Sequence, residues 1–434
     1  MTGSHRLSRR RFLRQSAAAA GLAVPYLIPS GAMASAETPG ANDRVGVGYI
    51  GVGRRGSQLM HLPPDAQIVA VADVDRNRAE TLAKVRKCRP YTDYRKMLDA
   101  KDVDAVVVAT PDHWHALPSI QACQAGKDVY CEKPLTLTVR EGQVIVQAAR
   151  KYERVFQTGT QRRSSAEHQV GCELVRSGRI GKVETVLMSA FPSPWVCRFP
   201  GKPVREGLDW DVWCGQTEPV PFHDDIYIQR SRPGWLSLRP YSGGEITGNG
   251  VHGVDLVQLA LGMDHTCPVE VWAEGGKMED LVYEAPEDRG RGNAHGSQGR
   301  ALTYRYANGV TLKLASGPLG GTFVGENGKI EIGSGSIKSD PPEIVKDALK
   351  EASSNPRVSH LQNWIECIKS REKPAADVEI GHRDAVICHL GNIARWVGRK
   401  LRWDPEKEVF PDDDEANAYL ERPMRKPYQL PDNV

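Results

Sequence analysis

The sequence predicts an α/β protein in which an N-terminal, doubly wound parallel sheet is followed by a second α/β domain with an open, mostly antiparallel sheet. Three observations predict this fold class. An apolar run leads into a glycine-rich turn at residues 51–56, and short apolar runs then alternate with helical patterns as far as residue 152. Beyond residue 161 the spacing changes to short runs that are typical of antiparallel strands.

The stretch at residues 44–56, RVGVGYIGVGRRG, has the pattern of a strand that runs into G-x-G-x-x-G and a helix. Glycine suits each place, because Gly51 allows a tight turn, Gly53 lets the backbone approach a pyrophosphate and Gly56 lets the helix pack on the strand. The N-terminus of the helix attracts the phosphates. We therefore assign these glycines, with Arg54 and Arg55, to cofactor binding.

Asp73 ends the next apolar run, seventeen residues after Gly56. A carboxylate at this place can accept hydrogen bonds from the adenosine ribose and would repel a 2′-phosphate, so the sequence predicts NAD rather than NADP. Strand, glycines, helix and acid together predict a Rossmann dinucleotide-binding domain. The alternative is a glycine-rich turn in an ordinary α/β domain.

Strand and helix patterns continue to alternate after Asp73, and the run DAVVVAT is typical of a strand buried on both faces. Ligands of such sheets lie beyond the carboxyl ends of the strands, so the loops at residues 110–115 and 132–134 should border the site. The remaining residues assigned to the cofactor are Thr110, Pro111, His113, His115, Glu132, Lys133 and Gln161. Of the two histidines we expect one to contact the cofactor or the substrate, and packing of the loop is the alternative.

Beyond Gln161 a helix and a strand lead into an irregular region rich in Pro, Trp and Gly. The short apolar runs that predict further strands are at residues 269–273, 302–306, 310–315 and 329–332. Two helices and an extended tail finish the chain. The predicted divisions are a signal peptide at 1–36, an NAD-binding domain at 43–165, a substrate and oligomerisation domain at 166–400 and a C-terminal tail at 401–434.

The N-terminus has the features of an export signal. SRRRFLR, which begins at Ser8, precedes a small apolar segment at residues 17–28 and an A-x-A site at residues 34–36. The apolar segment is too short to span a bilayer. The paired arginines followed by Phe-Leu resemble a twin-arginine signal, which predicts export of the folded protein to the periplasm by the twin-arginine machinery. A retained amphipathic anchor is the alternative.

The composition excludes several classes of partner. Apolar residues make up 40% and charged residues 26% of 434 residues, and the net charge is +3, so nothing indicates nucleic acid or an acidic membrane surface as a partner. The nine cysteines are scattered without a C-x-x-C pair. We therefore expect no metal site.

Three further stretches stand at related places in the chain: TPDHWH at 110–115, EKP at 132–134 and GG-x5-G-x-H-x-x-D at 243–255. With the GVGRRG turn they resemble the glucose-fructose oxidoreductase, inositol dehydrogenase and MocA family, over nearly the whole chain after the signal. The resemblance implies a Rossmann domain that binds NAD(P) and an α/β domain whose open sheet forms the substrate wall and often an oligomer interface. It also implies a sugar, inositol or related polyol as substrate.

Two residues are the candidates for catalysis. Oxidation of an alcohol needs a hydride acceptor and a base within reach of the hydroxyl. Lys133 follows a strand end, from which its ammonium can stabilise a developing alkoxide, and the resemblance gives the EKP lysine a catalytic role. His252 matches the family's catalytic histidine and titrates in the range of a general base. A surface lysine and a core histidine are the alternatives.

One position departs from the family pattern. The family commonly has an acid four residues before this histidine, where this chain has Gly248. Either Asp255, one turn after His252 on the same helix face, orients the imidazole, or simple dehydrogenation is impaired. Some proteins close to the family cleave glycosides on bound NAD by oxidation, elimination, addition and re-reduction, and this departure keeps that chemistry open.

Aromatic and basic residues are the candidates for substrate contact. Flat rings suit the apolar face of a sugar, and guanidinium groups could bind a carboxylate or phosphate on it. Packing in the core and exposure on the surface are the alternatives. The residues assigned to the substrate are Arg162, Trp210, Tyr241 and Asp255, and the further candidates are Arg163, Trp213, Trp235 and Arg239.

The sequence thus predicts an exported NAD-dependent oxidoreductase that oxidises or reduces a hydroxyl or keto group of a sugar, glycoside or cyclitol. We also expect a homo-oligomer formed through the C-terminal sheet. The first alternative is a redox-assisted glycosidase or lyase that forms no net NADH. The second is a non-catalytic, NAD-containing sugar-binding protein.

Overall fold

The computed structural model describes residues 43–228, 234–280, 282–283, 300–346, 358–431 and 434. The predicted signal peptide at residues 1–36 lies outside the described residues. Within these ranges no helix is long and apolar enough to cross a membrane.

Parallel strands joined by helices form the first sheet. Its strands are β1 (Val45–Ile50), β2 (Ala66–Ala72), β3 (Arg89–Tyr91), β4 (Ala105–Val108), β5 (Asp128–Cys131) and β6 (Phe156–Thr158). The connecting helices are α1 (Arg54–Gln58), α2 (Arg76–Arg86), α3 (Tyr94–Leu98), α4 (Ala116–Gln124) and α5 (Val139–Lys151). Across the sheet the strands lie in the order β3-β2-β1-β4-β5-β6, and all pairs are parallel.

Burial of the central strands explains their composition. Every residue of β1 and of β4 is buried, as expected for strands that are covered on both faces by helices. The chain adds β2 and β3 on one side of β1 and then returns to add β4, β5 and β6 on the other. Ligands of such sheets lie where the order reverses, beyond the carboxyl ends of β1 and β4. The predicted Rossmann fold of this part is confirmed.

A second, mixed sheet follows. The strands after β6 are β7 (Val183–Ser189), β8 (Val196–Cys197), β9 (Glu270–Ala273), β10 (Val282–Tyr283), β11 (Leu302–Arg305), β12 (Thr311–Ala315), β13 (Thr322–Gly325), β14 (Gly328–Ile332), β15 (Ile337–Asp340) and β16 (Leu401–Arg402). The order is β15-β14-β13-β7-β12-β11-β9-β16, while β8 and β10 pair separately. Only β7 and β12 of the eight-stranded sheet are parallel neighbours, so the predicted mostly antiparallel sheet is confirmed.

Helices cover one face of the second sheet. The helices after α5 are α6 (Ala166–Arg176), α7 (Trp210–Cys214), α8 (Asp224–Tyr227), α9 (Val251–Leu261), α10 (His360–Ser370), α11 (Val378–Val397) and α12 (Asp414–Asn417). Leu312 and Leu314 of β12 are buried in the core beneath α9, while Lys313 and Ala315 between and after them are exposed. This alternation is the mark of a sheet with one covered face. Whether the other face joins a second copy remains a prediction.

The region between β7 and α9, which the sequence predicts to be irregular, returns to the first sheet. We call residues 204–213 the strap. Leu208 of the strap forms an antiparallel bridge with Asp75, and Asp209 N donates a hydrogen bond to Val74 O at 3.1 Å. Trp210 and Trp213 stack at 4.5 Å between ring centroids and anchor the strap in a separate apolar cluster. The strap therefore lies over the loop that follows β2.

Candidate active site

The glycine turn after β1 is as tight as its sequence predicts. Gly51 has a φ of +80°, and a Cβ on it would lie 2.8 Å from the backbone nitrogen of Thr110. A Cβ on Gly56 would lie 2.2 Å from Gly51 O, so only glycine lets α1 pack this closely. At Gly53 the nearest atom to a Cβ is 3.7 Å away, at the Arg78 guanidinium. The backbone at Gly53 is thus open toward the space where a pyrophosphate would lie.

Asp73 is fixed at the end of β2. Its Oδ2 accepts a hydrogen bond from Val52 N at 2.9 Å, and its Oδ1 accepts one from Asp75 N at 2.9 Å. The Arg78 guanidinium lies 3.3 Å from Oδ2. Arg78 also contacts the hydroxyl of Tyr227, which donates to Asp75 Oδ2 at 2.8 Å. No sequence pattern singles out Arg78 or Tyr227, since only the fold brings Tyr227 from α8 to this place.

A groove of about 1300 Å³ runs from this acid to the end of β5. The first sheet supplies one wall, and the strap, Tyr227, Leu236 and Tyr428 of the C-terminal tail supply the other. Tyr428 packs edge-on against Trp114 with ring centroids 5.4 Å apart. The predicted site residues that line the groove are Gly51, Gly53, Arg54, Arg55, Asp73, Thr110, Pro111, His115, Glu132, Lys133 and Trp210.

Arg55 is held between two other predicted residues. Its Nε donates to Glu132 Oε1 at 2.7 Å, and the side-chain amide group of Gln161 lies beside the same guanidinium. Burial opposes the charge, but Glu132 raises the pKa of Arg55 above its ordinary value. This ion pair fixes the loop that carries Lys133 against the glycine turn.

Lys133 lies at the end of the groove opposite Asp73. Its Nζ donates a hydrogen bond to Gly248 O at 2.6 Å, in the π-helical turn Ile246–Gly250 that precedes α9. The lysine therefore joins the end of the first sheet to the helix that carries His252. The structure thus joins Lys133 to the turn that precedes α9, and the pairing of Lys133 with His252 in catalysis stays a prediction.

His252 is 9% exposed, and its Nδ1 has no hydrogen-bond partner among the described residues. Burial lowers the pKa of this imidazole well below its ordinary value, and the positive charges of Lys133, Arg162 and Arg55 lower it further. The unpaired Nδ1 is closed off from solvent. The imidazole is neutral, as a general base must be before the reaction, but its lowered pKa makes it a weaker proton acceptor than the ordinary histidine that the sequence suggests.

Asp255 does not orient this histidine. It is 0% exposed, and its Oδ1 accepts a hydrogen bond from Arg163 Nε at 2.7 Å. Arg163 also pairs with Asp264 at 3.0 Å, and although burial opposes its charge, the two acids raise the pKa of Arg163. Asp255 and Arg163 therefore form an internal ion pair that is out of reach of a substrate. The substrate assignment of Asp255 is corrected for this reason.

The two histidines of the TPDHWH loop are structural in their contacts. His113 Nε2 lies 2.8 Å from Trp213 O, and the two ring nitrogens of His115 face Pro134 O and Thr110 O at 2.7 and 3.0 Å. Burial lowers the pKa of His113 to about 3 and that of His115 to about 4. His115 lines the groove and bridges its two loops, whereas His113 packs behind them.

The remaining candidates for substrate contact are separated by the fold. Trp210 lines the groove, but Tyr241 is fully buried behind it, with its ring 5.0 Å from that of Trp213. Arg162 donates to Ser334 O at 3.2 Å, and its charge reaches His252. Trp235 lines the groove next to Leu236, and Arg239 pairs with Asp280 at 2.7 Å.

An NAD molecule fits the groove on the evidence of the residues themselves. The glycine turn leaves room for phosphates, Asp73 stands at the ribose end, and the buried Thr110 Oγ1 has no hydrogen-bond partner in the described part of the chain. Lys133 stands at the other end, bonded to the turn that precedes the helix of His252. A doubly wound sheet with such a groove at its switch point defines an NAD-binding protein.

The chain belongs to the Gfo/Idh/MocA oxidoreductase family. The model of the family's NAD-binding Rossmann fold matches residues 45–160, and that of its C-terminal α/β domain matches residues 191–430. The family contains sugar and cyclitol dehydrogenases as well as proteins with glycosidase names.

Three curated relatives illustrate this range. The chain is 28% identical to 2,7-anhydro-N-acetylneuraminate hydratase of Mediterraneibacter gnavus over 54% of its length and 53% of that protein. It is 37% identical to inositol 2-dehydrogenase 3 of Saccharopolyspora erythraea, over 32% of this chain and 42% of that protein. It is 30% identical to α-N-acetylgalactosaminidase of Shewanella oneidensis, over 41% of this chain and 45% of that protein. The chain thus spans about half the length of these relatives or less.

A solved structure shares the fold over most of the chain. The WlbA dehydrogenase of Bordetella pertussis, in complex with NADH and UDP-GlcNAcA, superimposes with a TM-score of 0.59. The match covers 83% of this chain and 99% of that one, at 19% identity. Together with the family model, this establishes an NAD-binding Rossmann domain followed by the family's C-terminal domain.

Proposed function

We propose that the protein is an exported NAD-dependent oxidoreductase that acts on a hydroxyl or keto group of a sugar, glycoside or cyclitol. The observation that carries the proposal is the hydrogen bond from Lys133 to Gly248 O, which sets an ammonium at the end of the groove beside the neutral His252. When bound, NAD supplies the hydride acceptor.

The roles of the two residues follow from their charges. Lys133 stabilises the oxygen of the substrate as it gains negative charge, because an ammonium in a site shielded from water acts strongly on a developing alkoxide. His252 takes the hydroxyl proton on its neutral imidazole. The relatives named as inositol dehydrogenases act on cyclitols by name, which supports a polyol substrate.

The test is a panel of free sugars, cyclitols and glycosides, followed at 340 nm for NADH and by chromatography for cleaved products. Net NADH with one member of the panel is the expected result. Lys133→Ala should abolish it while leaving NAD binding intact. Turnover that persists in Lys133→Ala would overturn the assignment.

A redox-assisted glycosidase or lyase is the second candidate, favoured by the strap. The strap and Tyr428 close the groove from the side opposite the first sheet, and Arg425 holds the tail by donating to Gly215 O at 2.7 Å. A nucleotide enclosed in this way would be released slowly, which suits a cycle that returns its hydride. Relatives named as a hydratase and an α-N-acetylgalactosaminidase support the same chemistry. Product release without net NADH would select this candidate.

The proposal of export rests on the N-terminal sequence alone. A twin-arginine route accepts folded proteins, which is consistent with a cofactor acquired before export. Replacement of Arg9, Arg10 and Arg11 by Lys should retain the protein in the cytoplasm, as fractionation of cells would show. Export of that variant at the wild-type level would contradict the proposal.

A further inference from the structure

Glu245 is a buried acid to which the chemistry above gives no role. It is 4% exposed and stands immediately before the π-helical turn. Its Oε2 accepts a hydrogen bond from Asn249 Nδ2 at 2.5 Å. A carboxylate withdrawn from water is costly unless it is bonded or balanced by positive charge, and the amide of Asn249 supplies one such bond.

Glu245 and Lys133 adjoin the same residue, Gly248. The carbonyl oxygen of Gly248 accepts the hydrogen bond from Lys133 Nζ at 2.6 Å. The position that a Cβ would take on Gly248 lies 3.6 Å from Glu245 Oε2 and 3.3 Å from a methyl group of Leu236. Because Cβ and O of one residue are about 3 Å apart, Nζ and Oε2 are separated by no more than about 9 Å.

We propose that Glu245 is a positioning residue for the reaction: its carboxylate fills the space beside Gly248 and holds Lys133 as an ammonium during proton transfer. The inference rests on the proposed function of Lys133. Asp255, the other acid near α9, is excluded from this role because Arg163 binds it.

The charges around Lys133 make such a carboxylate useful. Positive charge from Lys133 reaches both His252 and His115, and Arg55 and Arg162 add to it at His252. Glu132, the acid next to Lys133 in the chain, is bound by Arg55 at 2.7 Å. At an effective dielectric constant of about 20, a charge within about 9 Å changes a protonation equilibrium by about tenfold. Glu245 supplies this stabilisation from the side of Gly248.

The experiment removes the carboxylate at residue 245 and places another at residue 248. Glu245→Gln keeps the shape and an acceptor for Asn249 but removes the charge. Gly248→Asp restores a carboxylate to nearly the same space, because a Cβ at Gly248 meets only side-chain atoms that can shift. The two single variants and the double variant are compared with wild type for kcat, KM, NAD affinity and the pH profile of kcat.

The expected result is a reduction in kcat of about tenfold for Glu245→Gln, with the limb of the pH profile that reports Lys133 moved about one unit toward acid. The sign follows because loss of a nearby negative charge disfavours the ammonium. NAD affinity should not change. Gly248→Asp alone should not raise kcat, because the site already holds a carboxylate, and the double variant should recover most of the lost rate and the wild-type pH profile.

Glu141→Gln is the matched control. Glu141 is equally buried and is bonded by Arg422 at 3.1 Å, away from the groove. This variant should lower the melting temperature without moving the pH profile. A purely structural role for Glu245 would give the same pattern in Glu245→Gln, with no rescue by Gly248→Asp, and would overturn the inference.

Gly248→Asp alone also decides the inference if Glu245→Gln does not fold. A tenfold gain in kcat would show that the wild-type site lacks an acid, contrary to the inference. A wild-type protein without turnover on the whole panel would remove the proposed function and this inference with it. Wild-type turnover with an unaffected Glu245→Gln would remove the inference alone.

Discussion

Replacement of Asp73 tests the cofactor end of the groove. The carboxylate stands at the end of β2 and is 8% exposed, so it acts with little screening by solvent. Asp73→Asn keeps the shape and one acceptor oxygen but removes the charge. A hydrogen bond to a charged group contributes about 1.5–3 kcal/mol, and loss of that charge should raise the Kd of NAD by about ten- to a hundredfold.

The same substitution should act in the opposite direction on NADP. The Arg78 guanidinium lies 3.3 Å from Asp73 Oδ2 and would lose its main ionic partner. Arginine binds phosphate well, and the repelling carboxylate would be gone. We therefore expect the ratio of the Kd of NADP to the Kd of NAD to fall by at least tenfold, which corresponds to a free-energy difference of about 1.4 kcal/mol.

The assay is isothermal titration of nucleotide-free protein with NAD and with NADP, for wild type, Asp73→Asn and the double variant Asp73→Asn/Arg78→Ala. The double variant controls for Arg78, because the affinity for NADP gained in the single variant should disappear when the guanidinium is removed. An unchanged ratio of the two affinities in Asp73→Asn would refute the assignment of Asp73 to the ribose.

Three further predictions concern the other end of the site and the core. Lys133→Ala and His252→Ala should each reduce kcat by about a hundredfold or more. Because both groups act on one proton transfer, the loss of kcat in the double variant should be far smaller than the product of the two single losses. A loss equal to that product in steady-state kinetics would contradict this prediction. Burial lowers the pKa of His113 to about 3 and that of His115, His360 and His389 to about 4, so the unfolded chain takes up more protons below about pH 6.5, the ordinary histidine pKa. The free energy of unfolding should therefore fall as pH falls from 6.5 to 4.5. Measured by urea unfolding, the slope of this free energy against pH should be smaller in His389→Gln than in wild type. An equal slope in the two proteins would contradict a lowered pKa at His389. Arg163→Met should cost about 3–5 kcal/mol of unfolding free energy, because it leaves Asp255 buried without its ionic partner, whereas Arg176→Met on the surface should cost less than about 0.5 kcal/mol.

Local patterns predicted the first sheet well because its signals are short in sequence. The alternation of apolar runs, the glycines at 51, 53 and 56 and the β-branched β4 each depend on neighbours within a few residues. The two edge strands of the first sheet, β3 and β6, and the strand β13 were not predicted. β3 and β6 have only three residues each, and two residues of β3 are exposed, so neither forms a clear apolar run. β13 draws its pairing from the distant β7 and β14.

Long-range contacts decided the parts of the site that the sequence could not predict. Asp255 lies on the same helix as His252, and its spacing favoured a functional role. In the structure, however, its carboxylate is bound by Arg163 from the turn after β6. Tyr428, near the end of the chain, reaches the groove only because the tail packs on Trp114. Glu245 precedes Gly248 by three residues, and only a structure shows that its carboxylate faces the space that glycine leaves.

The most direct test of the central claim is a single-turnover experiment on protein loaded with NAD. The protein is mixed with an excess of the substrate found in the panel, and absorbance at 340 nm is followed on the millisecond to second scale. We predict a transient or lasting rise at 340 nm that slows when the reacting carbon carries deuterium and is absent in Lys133→Ala. Conversion of the substrate without any change at 340 nm and without an isotope effect would contradict hydride transfer to NAD in this protein.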